Sequence, residues 1–505
     1  MVQVNSKRIV KNTFFLYTKT ILSTIVIFLS TRIVLDALGK VDYGVYGVVG
    51  GVIAMLGYIN IAMASASQRF MNLAEGAEDK ERSKSVFNNA ILLHLGIGIT
   101  IVVVLELLFY WMFNGILNIP EERIAAAKIV YHMMVVSTFF TMITVPYEAL
   151  INAHEDFLFY SIIGIIDSLL RLAVAYIIVF YTNDKLILYG LLLAAISIMM
   201  MIAKCMYCHK KYDECTINIK LYGNRKTVKD ISSFAGWNFV GVFASIAGNY
   251  GSTILMNHVF GTIVIAAKNI GDQIGGQLSV LTTNMTSALN PSIIKSEGGG
   301  ERKQMISLSL ASCRLGFLLY SSLAIPFLFK SEYILGLWLK DLPEWTVLFC
   351  QLQILRMLIE QLFSPLKTML IAEGSIKNIN IADLILGILT FAILYFLYEL
   401  GLPAYWHYVI SIIFMVLIEA FIKFFYCKKY CGLALKDYYN EVATKSVLSV
   451  VITTLVCLII LKVCSHNFLS VCLMVLASFL SIALIGLSNN ELHFILRFVN
   501  RRYNE

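Results

Sequence analysis

Apolar residues come in long blocks along this chain. Mostly hydrophobic runs lie near 12–34, 43–66, 88–114, 126–147, 158–181, 186–207, 232–256, 262–290, 305–328, 345–370, 377–398, 404–426, 444–464 and 466–487, with short polar segments between them. A helix needs ~20 predominantly apolar residues to cross the hydrocarbon of a bilayer. Each run therefore predicts a transmembrane helix, and the set predicts an all-α polytopic membrane protein with fourteen spans. The first run is too long, and its flanks too polar, for a cleaved signal peptide, so it reads as a retained span.

Composition agrees with the pattern. Of 505 residues, 58% are hydrophobic and 14% charged, with a mean hydropathy of +0.76. Soluble domains average roughly 45–50% apolar and about 25% charged residues, so this chain requires lipid as part of its solvent. No hydrophilic segment exceeds about 25 residues, and no appended soluble catalytic domain is expected. The ten cysteines are scattered and form no disulfide framework.

Lysine and arginine set the expected orientation. Lys210, Lys211, Lys220, Arg225, Lys226 and Lys229 crowd one loop, and Lys423, Lys428, Lys429, Lys436 and Lys445 flank another. Placing these in the cytoplasm puts both termini there. Topology and anionic lipid explain the basic excess, so no nucleic-acid partner is expected.

The chain also repeats itself. Ser30-Thr31, Gly39, Met63, Ser65-Ala66 and Glu75-Gly76 recur as Ser252-Thr253, Gly261, Met285, Ser287-Ala288 and Glu297-Gly298, each displaced by 222 positions. Further on, Pro146, Ala153 and Cys208 recur as Pro365, Ala372 and Cys427, displaced by 219. A steady offset over separate blocks indicates a duplication of six spans. It predicts an N-lobe at 1–228, a C-lobe at 229–430, and an addition at 431–505 holding the last two spans and a cytoplasmic tail. Parallel repeats of this kind enclose a site near the membrane midplane.

Charges inside spans mark candidate sites, because each costs ~2.5–3.5 kcal/mol on insertion scales. They are Lys19, Arg32, Glu106, Asp167, Arg171, Lys268, Asp272, Arg314, Arg356, Glu360 and Asp383. Asp167–Arg171, Lys268–Asp272 and Arg356–Glu360 are opposite charges at i, i+4, which share a helix face and can neutralise each other. Such a pair serves equally well as a helix lock or as a cavity lining. In the eighth span, Lys268, Asp272, Gly275, Ser279, Thr282 and Thr286 follow one helical face, which Asn269, Gln273, Gln277 and Asn284 widen. That face is expected to border water. Lys19, Arg32 and Arg314 lack partners in their own spans and tilt the expected cavity toward an anionic ligand, unless Lys19 and Arg32 snorkel to the interfaces.

The block "STRIVLDALGKVDYGVYGVVGGVIAMLGYINIAMASASQRF" resembles the start of the polysaccharide flippases. These carry lipid-linked O-antigen or capsule oligosaccharides and belong to the multidrug/oligosaccharidyl-lipid/polysaccharide exporter superfamily. Arg32, Leu38-Gly39, Tyr43-Gly44 and Ala66–Arg69 carry the likeness, with "VPYEALINAHEDF", "NPSIIKSEGGGERK" and "LGLWLKDLP" at the matching spans. The resemblance implies two six-helix lobes working by alternating access in the bacterial cytoplasmic membrane, and no enzyme activity. Its cargo would be undecaprenyl-diphosphate-linked oligosaccharide, flipped from the inner to the outer leaflet for O-antigen, lipopolysaccharide or capsule assembly. Arg32, Lys19, Lys268, Arg314 and Arg356 would face the diphosphate; Asp272, Asp167, Arg171, Gln273 and Glu360 would supply cavity polarity or ion coupling. It implies no cofactor, coupling to H+ or Na+ in some members, a monomer, and a polysaccharide polymerase machinery as a further candidate partner.

Two rival functions compete with this one. A cation-coupled multidrug exporter of the same superfamily would be expected to hold an acidic ion site in its first span, which here offers Lys19 and Arg32. A membrane polysaccharide polymerase or ligase needs chemistry in its outer loops, and neither Glu121-Glu122-Arg123 nor Lys340-Asp341 forms such a constellation. "CMYCH" at 205–209 matches a haem-attachment pattern but falls on the cytoplasmic side; zinc at Cys205, Cys208, His209 and Cys215 is permitted by spacing, and an interfacial rim is the simpler reading.

Overall fold

The computed structural model describes residues 6–116, 119–339, 343–464, 466–482 and 486. The described residues are overwhelmingly helical and contain no strand. In chain order the main helices are α1 (Ser6–Gly76), α2 (Lys80–Trp111), α3 (Ile124–Ala153), α4 (Phe157–Phe180), α5 (Lys185–Lys211), α6 (Arg225–Phe260) and α7 (Thr262–Gly298). There follow α8 (Arg302–Trp338), α9 (Thr346–Gln361), α10 (Leu366–Glu373) and α11 (Lys377–Glu399), then α12 (Trp406–Cys431) and α13 (Leu435–Val463) and α14 (Asn467–Ser481).

Within the described residues, all the apolar runs fall on these helices. Nine of the described helical stretches are long and apolar enough to cross a bilayer, or ten if α9 and α10, bent by 43°, form one span. The protein is an all-α polytopic membrane protein. The expected C-terminal tail and Lys340-Asp341 lie outside the described residues.

Two compact units emerge. The first holds Met1–Val242 with Lys295–Gly300, and the second holds Phe243–Ile294 with Glu301–Glu505. Helices α13 and α14, the predicted addition, pack on α8 within the second unit.

Each unit is built from residues the repeat supplies. α1 joins two helices across a kink at Gly39, which has φ 74°, and Gly261 between α6 and α7 has φ 79°. Only glycine adopts this left-handed conformation without a steric cost, which accounts for its recurrence at an offset of 222. In the first unit the Cys208 thiol points to the Tyr147 carbonyl at 3.7 Å. In the second the Cys427 thiol points to the Leu366 carbonyl at 3.5 Å. Both members of this contact are displaced by 219 positions, so the duplication is visible as packing and not only as spelling.

The end of α7 belongs to the first unit, where it meets the end of α1 backbone to backbone. A Cβ on Gly76 would lie 2.1 Å from the Lys295 carbonyl oxygen, and one on Gly298 would lie 2.3 Å from that of Leu73. Neither position admits a side chain, which explains the recurring Glu-Gly pair. At the other end of the first unit, Arg123 bridges Asp42 at 2.6 Å and Asp184 at 2.8 Å. Asp184 also caps α5, accepting from the Leu186 and Ile187 amides.

The first unit's apolar core lies among Val49, Leu105, Ala127, Tyr131, Ile178 and Leu186. Phe317, Leu318, Tyr320, Cys350 and Ile354 form one in the second. Leu107, Trp111, Phe180, Phe421 and Val463 point outward from their helices and are exposed, as a lipid-facing surface requires.

Candidate functional site: a charged pocket in each unit

Each unit encloses a polar pocket among its own helices. The first unit's pocket, about 360 Å³, is lined from α1 by Lys19 and Ser23, from α3 by Thr141, Thr144 and Glu148, from α4 by Tyr160, Gly164, Asp167, Ser168 and Arg171, and from α5 by Ser197 and Lys204. Lys204 is ion-paired with Glu148. Arg171 Nε donates to Asp167 Oδ2 at 3.0 Å. The Lys19 ammonium instead lies over the Tyr160 ring, 4.2 Å from its centroid, a cation–π arrangement. None of the described carboxylates forms an ion pair with it.

The second unit's pocket is similar in size, about 320 Å³, and more densely charged. Lys268 Nζ donates to Asp272 Oδ2 at 2.7 Å. Arg356 reaches Glu360 Oε2 at 3.1 Å and Gln353 Oε1 at 3.1 Å. Lys367 meets Asp383 at 2.8 Å and Lys423 meets Glu419 at 2.6 Å. All four pairs line the pocket, joined by the buried ring of His407.

The two pockets are the same place in the repeat. Thr141, Glu148, Gly164, Met200 and Lys204 line the first; Glu360, Lys367, Asp383, Glu419 and Lys423, each displaced by 219, line the second. The backbone framework recurs while the charges differ. The first pocket holds Lys19, Arg171 and Lys204 against Glu148 and Asp167; the second holds cations and anions in equal number.

The predicted site residues divide among several locations. Lys19, Asp167 and Arg171 line the first pocket, and Lys268, Asp272, Arg356 and Glu360 the second. Arg32 is exposed on α1, and Gln273, with Asn269 and Gln277, is exposed on α7; none of them lines a described pocket. The polar face predicted for α7 is divided: Lys268 and Asp272 enter the second pocket, whereas Gly275 packs on Gln353 and Met357 of α9. Arg314 lies in a separate groove of about 600 Å³ beside Lys303 and Lys445. It donates to the Glu441 carbonyl and carboxylate, both at 3.0 Å.

Sequence reasoning missed Glu148, Lys204, Lys367, Glu419 and Lys423. A signal was available: Glu148 with Lys367, and Lys204 with Lys423, stand 219 apart, the offset already found for Pro146 and Cys208. Glu106, a lone charge in the sequence, faces His132 at 3.0 Å.

One group of side chains has metal-ligand chemistry. The donor atoms of Glu75, His154 and Glu214 all lie within 4.8 Å of one another. As arranged, His154 Nδ1 faces Glu75 at 3.3 Å, Nε2 faces Glu214 at 3.6 Å, and the ring stacks on Tyr212 at 4.2 Å. Burial alone would lower the imidazole, but Glu214 and Glu75 outweigh it and hold His154 up at about 9. The ring lies between two carboxylates, which favour its protonated form. The "CMYCH" segment forms no metal cluster among the described residues: Cys208 faces a carbonyl, and His209 Nδ1 meets the Cys215 carbonyl at 2.6 Å.

The comparisons with known proteins follow the fold. Residues 18–177 match the MatE family profile. The structure of MATE in the bent conformation shares 13% identity at a TM-score of 0.74, with 85% of this chain and 95% of that chain covered. A multidrug resistance MATE family transporter of the MOP superfamily, in an outward-facing conformation, shares 14% at 0.69, covering 84% and 96%. A MOP superfamily transporter from Pyrococcus furiosus, whose reversed binding-pocket polarity is said to suggest a different function, shares 13% at 0.72, again covering 84% and 96%. No curated protein matches the chain.

Residues 18–177 are thus similar to the MatE family, and the chain has the fold of the MATE structures it matches. It is a polytopic helical membrane protein of that fold.

Proposed function

We propose that this protein flips lipid-linked oligosaccharides, undecaprenyl-diphosphate-linked repeat units in a bacterium, from the inner to the outer leaflet of the cytoplasmic membrane. Both termini lie in the cytoplasm, and the cycle is one of alternating access. The observation that carries this reading is the cationic content of the pockets. Lys19 in the first unit, and Lys268 and Arg356 in the second, line these pockets, Lys19 and Arg356 on helices apolar enough to cross a bilayer. Charges so placed are costly and mark transport pathways more often than structure. An anionic diphosphate is the cargo that such side chains favour; the Pyrococcus furiosus transporter is a precedent for reading pocket polarity as a guide to function. Arg32 and Arg314 are assigned to phosphate contacts outside the pockets, and Gln273 to hydrogen bonding with sugar.

The competing reading is cation-coupled multidrug export. The multidrug family of one structural neighbour favours it, as do the carboxylates Asp272, Asp383 and Glu419 of the second pocket, which suit H+ or Na+ coupling in either case. Expression in a strain lacking its own flippase separates the two. Restored surface glycan, lost again in Lys268→Ala and Arg356→Ala at normal protein level, supports flipping. Unrestored glycan with raised resistance to amphipathic cations supports drug export.

A further inference from the structure

We propose that the first unit's pocket is a binding site for one compact monovalent anion, seated by Lys19 and flanked by Arg171 and Lys204. Three cations and two carboxylates line this pocket, and both carboxylates are already engaged, Glu148 by Lys204 and Asp167 by Arg171. One positive charge is left, on Lys19, which rests over an aromatic face. In a low-dielectric lobe an unbalanced charge is expensive, and a counter-ion removes the cost. The second pocket is an internal control, because the same frame there holds four cations in four ion pairs and has no deficit to fill.

The lining suits an anion in other ways. The Ser23 and Ser168 hydroxyls, 2.8 Å apart, add polar lining, with Ser168 donating to the Gly164 carbonyl at 3.0 Å. The Tyr160 ring fixes the ammonium from one side. Gly164, one turn further along α4, lies against the same side chain: a Cβ there would lie 2.5 Å from Lys19 Cε and 3.3 Å from Nζ. Lys19 therefore occupies a notch that glycine leaves open, and a methyl group at 164 would push the ammonium from its seat. A pocket of about 360 Å³ admits a halide with water, or one phosphate group. Chloride from solution and a phosphate presented by the cargo share this chemistry; only the second source rests on the flippase reading.

The test uses the purified full-length chain in detergent, with thermal unfolding followed at constant ionic strength. Sodium gluconate is replaced stepwise by sodium chloride or by sodium phosphate, since a ligand of the folded state raises the midpoint saturably. Wild type and Lys19→Arg are expected to respond to one of these anions. Lys19→Gln and Gly164→Ala are expected to need at least tenfold more of it, while Lys436→Gln, an exposed charge outside every described pocket, responds as wild type. A response to chloride identifies a resident halide; one to phosphate alone identifies the cargo group. Absence of a saturable response in wild type, or a wild-type response in Gly164→Ala, overturns the proposal even where Lys19→Gln does not fold. Wild-type insensitivity with intact glycan complementation would leave the flippase reading standing, so the two ideas fail separately.

Discussion

Position 148 of the first repeat is a glutamate and position 367 of the second a lysine; position 164 is a glycine and 383 an aspartate; 200 is a methionine and 419 a glutamate. All six line pockets of nearly equal size in their respective units. The backbone devices around them did not diverge in this way. Gly39 and Gly261 share a left-handed φ, and the Cys208–Tyr147 and Cys427–Leu366 contacts match. Duplication thus retained the frame that makes a pocket and released the side chains inside it. One pocket became a balanced set of ion pairs, and the other kept a surplus lysine. A role in cargo or ion binding is therefore to be sought in the difference between them.

Breaking a pair in the balanced pocket should have the largest effect. Lys423→Ala strands Glu419 beside Asp383 and Glu360, and removing one partner of a buried pair costs about 3–5 kcal/mol. The double change Lys423→Met with Glu419→Leu should cost clearly less, and unfolding midpoints compare the two. A second difference between the repeats lies outside the pockets, where His154 has Glu373 as its counterpart. A histidine held up at about 9, against an ordinary 6.5, contributes stability that is complete below pH 6.5 and lost as pH rises through 9. Stability should fall over that window by up to about 3 kcal/mol in wild type and stay flat in His154→Gln. Glu373→Gln should leave the decline unchanged.

The shared frame gives a symmetric prediction of intermediate size. Gly39→Ala and Gly261→Ala each put a side chain at positive φ, at about 1–3 kcal/mol apiece, and both should destabilise. The smallest effect on stability is expected for Lys19→Met. Removing the surplus charge should leave stability unchanged or raise it by up to about 1 kcal/mol in gluconate, where no counter-ion offsets it, whereas its balanced counterparts destabilise. Glycan export should nevertheless fall. A loss of stability equal to that of Lys423→Ala would erase the distinction between the pockets.

Much of this was legible in the chain. Apolar runs of helix-spanning length located the helices, and the recurring glycines, Pro146/Pro365 and Cys208/Cys427 exposed the duplication. The i, i+4 pairs Asp167–Arg171, Lys268–Asp272 and Arg356–Glu360 are ion pairs at 3.0, 2.7 and 3.1 Å, because spacing alone puts them on one face. Partners on different helices were hidden. Nothing local joins Lys204 to Glu148, 56 residues away, or Arg314 to Glu441, 127 residues away. The polar stripe of α7 meets more than one environment. Periodicity assigned Gln273 and Lys268 to one water-bordering surface, but packing on α9 buries Lys268 in a pocket and leaves Gln273 exposed elsewhere. Helical phase tells which residues share a face, not what that face meets.

The most direct test of the proposed function is translocation by the purified protein in liposomes. A short-chain polyprenyl-diphosphate oligosaccharide, labelled on the sugar and loaded in one leaflet, is followed by its exposure to a membrane-impermeant glycosidase. The wild-type chain is predicted to transfer the label across the bilayer, and Lys268→Ala and Lys19→Met to slow that transfer at least tenfold. A lipid-linked sugar that stays in its leaflet, while the same liposomes expel an amphipathic cation, would contradict the account.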